Sequence, residues 1–168
     1  VEGDIKNIKI TYKSDFEIAE LFLEKWLDFR FGNGFDVHKF GSGNFILLCG
    51  IKIPFSKSLI GHSDADVGLH SLTDAILGAI GKGDIGTHFP PTDVKWKNKD
   101  STFFLKHAEK IMKSECYNIT NIDITFICEL PRIGCYSDKM KKRLCSILGL
   151  NSSQVNIKAT TSEGLGFT

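Results

Sequence analysis

The segment Asp36-Val37-His38 is followed by Gly61-His62-Ser63-Asp64-Ala65-Asp66, then by His70 and Asp74, and then by Gly83-Asp84-Ile85-Gly86. Two imidazoles and a carboxylate in so short a span form the ligand set of an open, catalytic type of zinc site, with the fourth position left for water or a substrate oxygen. On an extended strand, side chains at i and i+2 share a face. The D-x-H spacing therefore puts Asp36 and His38 side by side, and His70, on a following helix, supplies the third ligand. Taken alone, D-x-H also fits an ordinary histidine at a strand end. Ser63 or Asp64 can cap the helix, and His62 then lies near the positive end of its dipole, where anions are favoured. Asp66 and Asp74 flank His70 at four residues on either side. Each either orients that ring as a hydrogen-bond partner or is simply solvated.

Two further polar runs suggest a nucleotide and its phosphates. Gly83-Asp84-Ile85-Gly86 is either a plain exit from a helix or a tight turn whose Asp84 accepts hydrogen bonds from sugar hydroxyls. Lys158-Ala159-Thr160-Thr161-Ser162-Glu163 follows a strand. Consecutive hydroxyls and backbone N–H groups can wrap a diphosphate, and Glu163 can hold a hard cation such as Mg²⁺. Runs of Thr and Ser also end strands with no such role.

These residues need a scaffold, and the patterning predicts one. Residues 31–40 alternate like a strand, Gly41-Ser42-Gly43 makes a turn, 44–50 form a second strand and 51–54 a third. The apolar residues Val67, Leu69, Leu72, Ile76, Leu77 and Ile80 recur as on a helix spanning about 65–81. Residues 83–98 form a long Pro-containing loop, of a length that is usually functional. Asp100 or Ser101 caps a helix running to about Ser114. A strand at 121–128, a helix at 137–149 and a final strand at 154–161 complete the pattern. The expected fold is an α/β (α+β) sandwich, a mixed sheet with helices packed on one face. Residues 1–29 read as an N-terminal extension. It holds a strand-like run (Ile5, Ile8, Ile10) and an amphipathic helix capped by Ser14 or Asp15, with Ile18, Leu21, Phe22 and Trp26 at helical spacing. Residues 30–168 form the catalytic domain.

At 168 residues with 42% hydrophobic and 24% charged residues, the chain fits an ordinary soluble domain. A net charge of +1 provides no electrostatic footprint for nucleic acid, and no apolar run is long enough to span a membrane. Five cysteines without a C-x-x-C pair argue against a disulfide framework or a thiolate zinc site. Cys49 and Cys128 sit in apolar runs and read as small core residues.

The phrases Gly34-Phe35-Asp36-Val37-His38, Gly61 to Val67, Leu69-His70, Leu72-Thr73-Asp74-Ala75, Gly83-Asp84-Ile85-Gly86, Phe89-Pro90, Lys158-Ala159-Thr160-Thr161 and Glu163 with Leu165 to Thr168 occur in register. Together they resemble the 2-C-methyl-D-erythritol 2,4-cyclodiphosphate synthase family, over residue 30 to the end. The resemblance implies a homotrimer with active sites between subunits and a zinc ion held by Asp36, His38 and His70. It implies that Glu163 binds Mg²⁺ or Mn²⁺ and that His62 and Ser63 face the methylerythritol phosphate. It places Asp84 and Gly86 at the ribose, and Lys158, Ala159, Thr160 and Thr161 near the diphosphate. From the neighbouring subunit, Cys128, Pro131, Arg132 and Ile133 frame the cytosine, largely through backbone groups. His62 and Thr161 are the implied catalytic residues. The implied reaction is cyclisation of 4-diphosphocytidyl-2-C-methyl-D-erythritol 2-phosphate with release of CMP, a phosphorus–oxygen lyase step of the non-mevalonate isoprenoid pathway. The competing readings are a zinc-dependent phosphohydrolase using the same triad and an inactive metal-binding relative.

Three departures from the family pattern bear on these expectations. Pro91 stands where an acidic residue is usual, in Phe89-Pro90-Pro91-Thr92-Asp93, and Arg132 replaces a usual Lys. The chain ends at Thr168 where relatives continue through a further strand, which reads as a truncation that would expose a sheet edge. Of the 21 basic residues only Arg30, Arg132 and Arg143 are Arg. With the extension, that bias points to a plastid-targeted enzyme; without a targeting role for the extension, the location is cytoplasmic.

Overall fold

The computed structural model describes residues 9–23 and 29–166. It divides into two units, Val1–Arg30 and Phe31–Thr168. In the first, helix α1 spans Lys13–Leu23, so Ser14 and Asp15 lie inside its first turn and neither precedes it as a cap. The Asp15 carboxylate folds back onto the Thr11 and Tyr12 N–H groups, 2.8 Å from each. The run at Ile5 and Ile8, and Trp26, lie outside the described residues.

The second unit begins with an extended segment, residues 31–39, which has no ladder partner among the described residues. The expected strand there is not formed, because the segment is pressed against a helix. A Cβ added to Gly32 would lie 1.8 Å from the Ala75 carbonyl oxygen, and one added to Gly34 1.8 Å from that of Ser71. Only glycine permits so close a backbone approach.

Strand β1 is Phe40–Ser42, β2 Phe45–Leu48, β3 Ile51–Pro54 and β4 Lys57–Leu59. Strand β1 pairs antiparallel with β4, and β2 with β3. Gly41 and Ser42 therefore belong to a strand, and the turn expected at 41–43 does not join β1 to β2 as a hairpin. The real hairpin turn is at Cys49 and Gly50, both with positive φ. Helix α2 spans Val67–Ala79, the short helix α3 Ile85–His88, and α4 Ser101–Ser114 capped by Asp100. Strand β5 is Ile122–Ile127, helix α5 Ser137–Leu148, and β6 Val155–Thr160. Strands β5 and β6 pair in parallel, from Ile122 opposite Val155 to Ile127 opposite Thr160. Parallel and antiparallel pairing thus coexist, but in three two-stranded sheets among the described residues, where one continuous sheet was expected.

One core joins these pieces. Leu69, Leu72, Ile76 and Leu77 of α2, Leu105, Ala108 and Met112 of α4, and Met140, Leu144 and Ile147 of α5 pack with Ile46, Leu48 and Ile53 of β2–β3 and with Ile122, Phe126 and Val155 of β5–β6. No helix among the described residues is long and apolar enough to cross a membrane.

Candidate functional site

The site forms where the extended 31–39 segment crosses α2. The glycine contacts at Gly32 and Gly34 seat the segment on the helix, so that Asp36 and His38 meet His70 on the first turn of α2. The beginning of α2 is fixed by Asp66, which is fully buried. Its Oδ1 accepts from the N–H groups of Leu69 (3.1 Å) and Cys49 (2.8 Å), and its Oδ2 accepts from that of Gly50 (2.6 Å). Asp66 therefore caps the helix and ties it to the β2–β3 turn. Burial pushes its carboxyl up, against the pull of these N–H groups. The Asp66 carboxylate does not meet the His70 ring; only the His70 backbone N–H reaches Asp66, donating to its carbonyl at 3.0 Å, and neither Ser63 nor Asp64 is the cap. Asp74 also serves elsewhere: its Oδ1 accepts from Ile85 N–H at 2.7 Å and pins α3 to α2.

Asp36 Oδ2 lies 3.0 Å from His70 Nδ1 and 3.2 Å from His38 Nδ1. His70 is 9% exposed. Burial alone would raise the Asp36 carboxyl, but His38 and His70 beside it hold it well below the usual carboxylate range. The same carboxylate raises His38, against burial. This is the one cluster of three metal-ligating side chains found among the described residues. Two observations fit it to a divalent cation. Ligands about 2.0–2.1 Å from a tetrahedral zinc stand about 3.3 Å apart, close to the spacings here. The buried His38 Nδ1, although 3.2 Å from Asp36 Oδ2, makes no hydrogen bond of good geometry, a cost that a coordinated cation relieves.

The far side of His70 is also occupied. Its Nε2 lies 2.9 Å from Ser63 Oγ and 2.8 Å from Ser101 Oγ. Ser63, expected to face substrate, thus also touches this ligand. His62 is exposed, and its carbonyl accepts from Asn98 N–H at 2.9 Å. The expected long loop is organised by short caps. Asp84 caps α3, accepting from Thr87 N–H and Oγ1 at 2.7 and 2.8 Å, and Gly86 is exposed within α3. Asp93 caps a 3-10 turn at Val94–Trp96 and pairs with Lys95 at 2.6 Å. Asp93 is thus already engaged within this turn.

A second constellation is built on β5, β6 and the loops after them. Cys128 N–H donates to the Thr160 carbonyl at 3.0 Å, and Cys128 Sγ lies 3.7 Å from the Pro131 carbonyl oxygen. Burial and the neighbouring Glu129 push the Cys128 thiol up. Ile133 is 2% exposed; its side chain belongs to the core, and only its backbone can meet a ligand. Arg132 and Ala159 are exposed. Lys158 is paired with Asp123 across the two strands at 2.6 Å. Thr161 Oγ1 donates to Glu163 Oε1 at 2.6 Å. Glu163 belongs to no three-residue ligand cluster among the described residues. No sequence pattern singles out Glu129, whose Oε1 accepts from Ser162 N–H (2.8 Å), Ser162 Oγ (2.7 Å) and Gly164 N–H (3.4 Å) and so holds the Glu163 loop.

Comparison with known proteins places this geometry in context. The model of the YgbB family matches residues 29–168. The bifunctional enzyme IspD/IspF of Paracoccus denitrificans (strain Pd 1222) is 52% identical over 166 residues, covering 99% of this chain and 44% of the relative. The chain thus spans less than half the length of that curated relative. A solved 2C-methyl-D-erythritol-2,4-cyclodiphosphate synthase in its CDP-bound form is similar with a TM-score of 0.76 and 33% identity, over 81% of this chain and 91% of that one. The bifunctional IspDF from Campylobacter jejuni gives a TM-score of 0.79 at 40% identity, over 99% of this chain and 45% of that one. The bifunctional proteins match nearly the whole chain, extension included. The extension is thus shared with bacterial enzymes, and the plastid-targeting expectation finds no support in them.

Proposed function

The chain belongs to the YgbB family, and on that footing we propose that it cyclises 4-diphosphocytidyl-2-C-methyl-D-erythritol 2-phosphate to 2-C-methyl-D-erythritol 2,4-cyclodiphosphate, with release of CMP. The observation that carries the reading is the convergence of Asp36, His38 and His70 within a chain similar to a synthase solved with CDP. The oxygen of the substrate's own 2-phosphate attacks the β-phosphorus. The bond from that phosphorus to the oxygen bridging to the α-phosphorus breaks, and CMP leaves with the electron pair. The nucleophile is already anionic near neutral pH, so the chemistry requires no Ser, Cys or Lys nucleophile. The barrier lies in bringing anions together and aligning them.

The residues fit that demand. A divalent cation held by Asp36, His38 and His70, zinc in our reading, supplies charge neutralisation at the phosphates when bound. Ser63, which touches His70, and its neighbour His62 are assigned to the 2-phosphate side. Asp84 and Gly86, at the exposed start of α3, are assigned to the ribose. Lys158, Ala159, Thr160 and Thr161 are assigned to the diphosphate and Glu163 to Mg²⁺ or Mn²⁺. Cys128, Pro131, Arg132 and Ile133 are assigned to the cytosine, and His62 and Thr161 to the catalytic roles. Phe35, Val37, Ile127, Leu130 and Leu165 are all at least half exposed. Such a set of apolar side chains on the site-bearing segments supports assembly with further copies of the chain, a homotrimer in our reading. Similarity to bacterial enzymes favours a cytoplasmic location.

The test is incubation of zinc-loaded protein with the substrate and Mg²⁺, followed by chromatography for CMP and phosphorus NMR for the ring. The reading expects CMP and a cyclic diphosphate, both lost in His70→Ala. Inorganic phosphate without a cyclic product would favour the phosphohydrolase, and no turnover by folded, metal-bound protein the inactive relative.

A further inference from the structure

Beyond the triad, His70 is held by a chain of groups reaching 37 residues along the sequence. Ser101, the first residue of α4, is fully buried. Its Oγ lies 2.8 Å from His70 Nε2. Its own hydroxyl is spoken for: it donates to Asp64 Oδ1, while the Ser101 N–H donates to Asp64 Oδ2 at 3.0 Å. Asp64 is fixed in turn. Its Oδ1 accepts from Asp66 N–H at 3.2 Å, and its own N–H donates to the Lys99 carbonyl at 3.2 Å. Asp64 thus clamps both the N–H and the O–H of Ser101.

A serine hydroxyl has one proton and two lone pairs. With its proton committed to a carboxylate, Ser101 offers His70 Nε2 only an acceptor. An imidazole whose Nε2 is protonated presents a lone pair at Nδ1, and Nδ1 is the atom that faces Asp36. Ligating histidines commonly donate their other ring N–H to an acceptor that fixes tautomer and ring orientation. Ser63 Oγ reaches the same nitrogen at 2.9 Å. It also accepts from Ala65 N–H at 3.3 Å and makes a longer contact, 3.4 Å, with Ser101 Oγ, in which either hydroxyl can donate. No carboxylate commits its proton, so it is not forced into the acceptor role.

We propose that Ser101, oriented by Asp64, is a positioning residue for metal binding: it accepts the His70 Nε2–H and so holds Nδ1 as the lone pair turned toward the cation. This rests on the reading of Asp36, His38 and His70 as a metal site. It adds a residue from α4, on the opposite side of the ring, to the apparatus that prepares the site. The arrangement also couples the site to the α2–α4 packing, since the ring cannot turn without breaking the clamp.

The test uses the full chain and zinc. Zinc affinity is measured by competition with a chromophoric chelator for the unaltered protein, Ser101→Ala, Asp64→Asn and Ser63→Ala, with circular dichroism as the check on folding. The His70 Nε2–H proton of the zinc-loaded forms is followed by NMR. The expected result is zinc binding about 10–100-fold weaker in Ser101→Ala, a smaller loss in Asp64→Asn, and the least in Ser63→Ala. A protected Nε2–H resonance should appear in the unaltered protein and disappear into exchange with water in Ser101→Ala. Unchanged affinity with a retained resonance in folded Ser101→Ala, or in Asp64→Asn should Ser101→Ala not fold, overturns the proposal. So does a loss in Ser63→Ala that equals or exceeds that in Ser101→Ala. If the unaltered protein takes up no zinc, the metal reading itself falls and the proposal falls with it. That outcome is distinct from failure of the serine clamp alone.

Discussion

Replacing Asp66 by Ala should be among the most costly single changes in the second unit, and its cost follows from the three hydrogen bonds described above. The cap on Leu69 N–H contributes about 1 kcal/mol, with a range of about 0.5–2. The N–H groups of Cys49 and Gly50 lose their acceptor as well. Cys49 is fully buried, and an unsatisfied buried donor costs about 1–3 kcal/mol. Gly50 is half-buried, so water recovers part of its loss. Relief from burying a carboxylate offsets some of the total. The balance is a loss of about 3–4 kcal/mol, a large share of the roughly 5–15 kcal/mol by which a domain is stable. Urea titration of the metal-free protein measures it. With a slope of about 1–3 kcal/mol per M, the midpoint should fall by about 1–4 M at unchanged slope. Asp66→Asn, which keeps one acceptor oxygen, should fall between the two. Zinc affinity should drop with stability, because His70 lies one turn beyond the cap. A loss below about 1 kcal/mol in Asp66→Ala would mean that these N–H groups find water or other partners and that Asp66 does not hold the start of α2.

Gly34→Ala places a Cβ 1.8 Å from the Ser71 carbonyl oxygen, so the segment must lift from α2. A stability loss of about 1–3 kcal/mol together with weakened zinc binding is expected, read by thermal melting and metal titration. Glu109 is buried between Lys106 and Lys113, at 2.9 and 2.7 Å; burial would raise its carboxyl, but Lys113 and Lys106 hold it below the usual value. A depressed carboxyl stabilises above its unfolded value of about 4.3 and loses that stabilisation as pH falls through the folded value. Glu109→Gln should therefore be less stable than the unaltered protein at pH 7, by an amount on the order of 1 kcal/mol, with the gap closing below about pH 4 in urea titrations. Glu129→Ala should speed hydrogen exchange at the Ser162 and Gly164 amides while leaving the β5–β6 ladder protected, as read by two-dimensional NMR.

The longer helices α2, α4 and α5 were legible in the sequence because each carries its own signal, whereas the single turn of α3 falls in the stretch read as a loop. The 3.6-residue apolar rhythm of α2, α4 and α5, the Asp100 cap and the αL Gly149 after α5 are local and independent of partners. Strand pairing was less legible. The alternation at 31–40 has a period of two, but Gly32 and Gly34 spend it on helix contact, and no local rule distinguishes an extended segment on a helix from a strand in a sheet. The triad was readable because ligand types are few and D-x-H keeps its meaning in any extended backbone. Its outer partners were not. Asp66 and Asp74, at helical spacing from His70, were natural candidates, yet the helix start and Ile85 N–H claim them. The actual partner, Ser101, comes from another helix, and serine at the start of a helix carries no mark of a second task. Glu129 escaped notice for the same reason, since its role appears only when β5 and β6 lie side by side.

The most direct test of the account is diffraction from crystals grown with Zn²⁺ and CDP, with data collected on both sides of the zinc absorption edge. An anomalous peak is expected within about 2.0–2.2 Å of Asp36, His38 and His70, bonded to His70 through Nδ1, with the diphosphate at the open position of the ion. A peak elsewhere on the chain, bonding through His70 Nε2, or CDP bound away from the triad would contradict it.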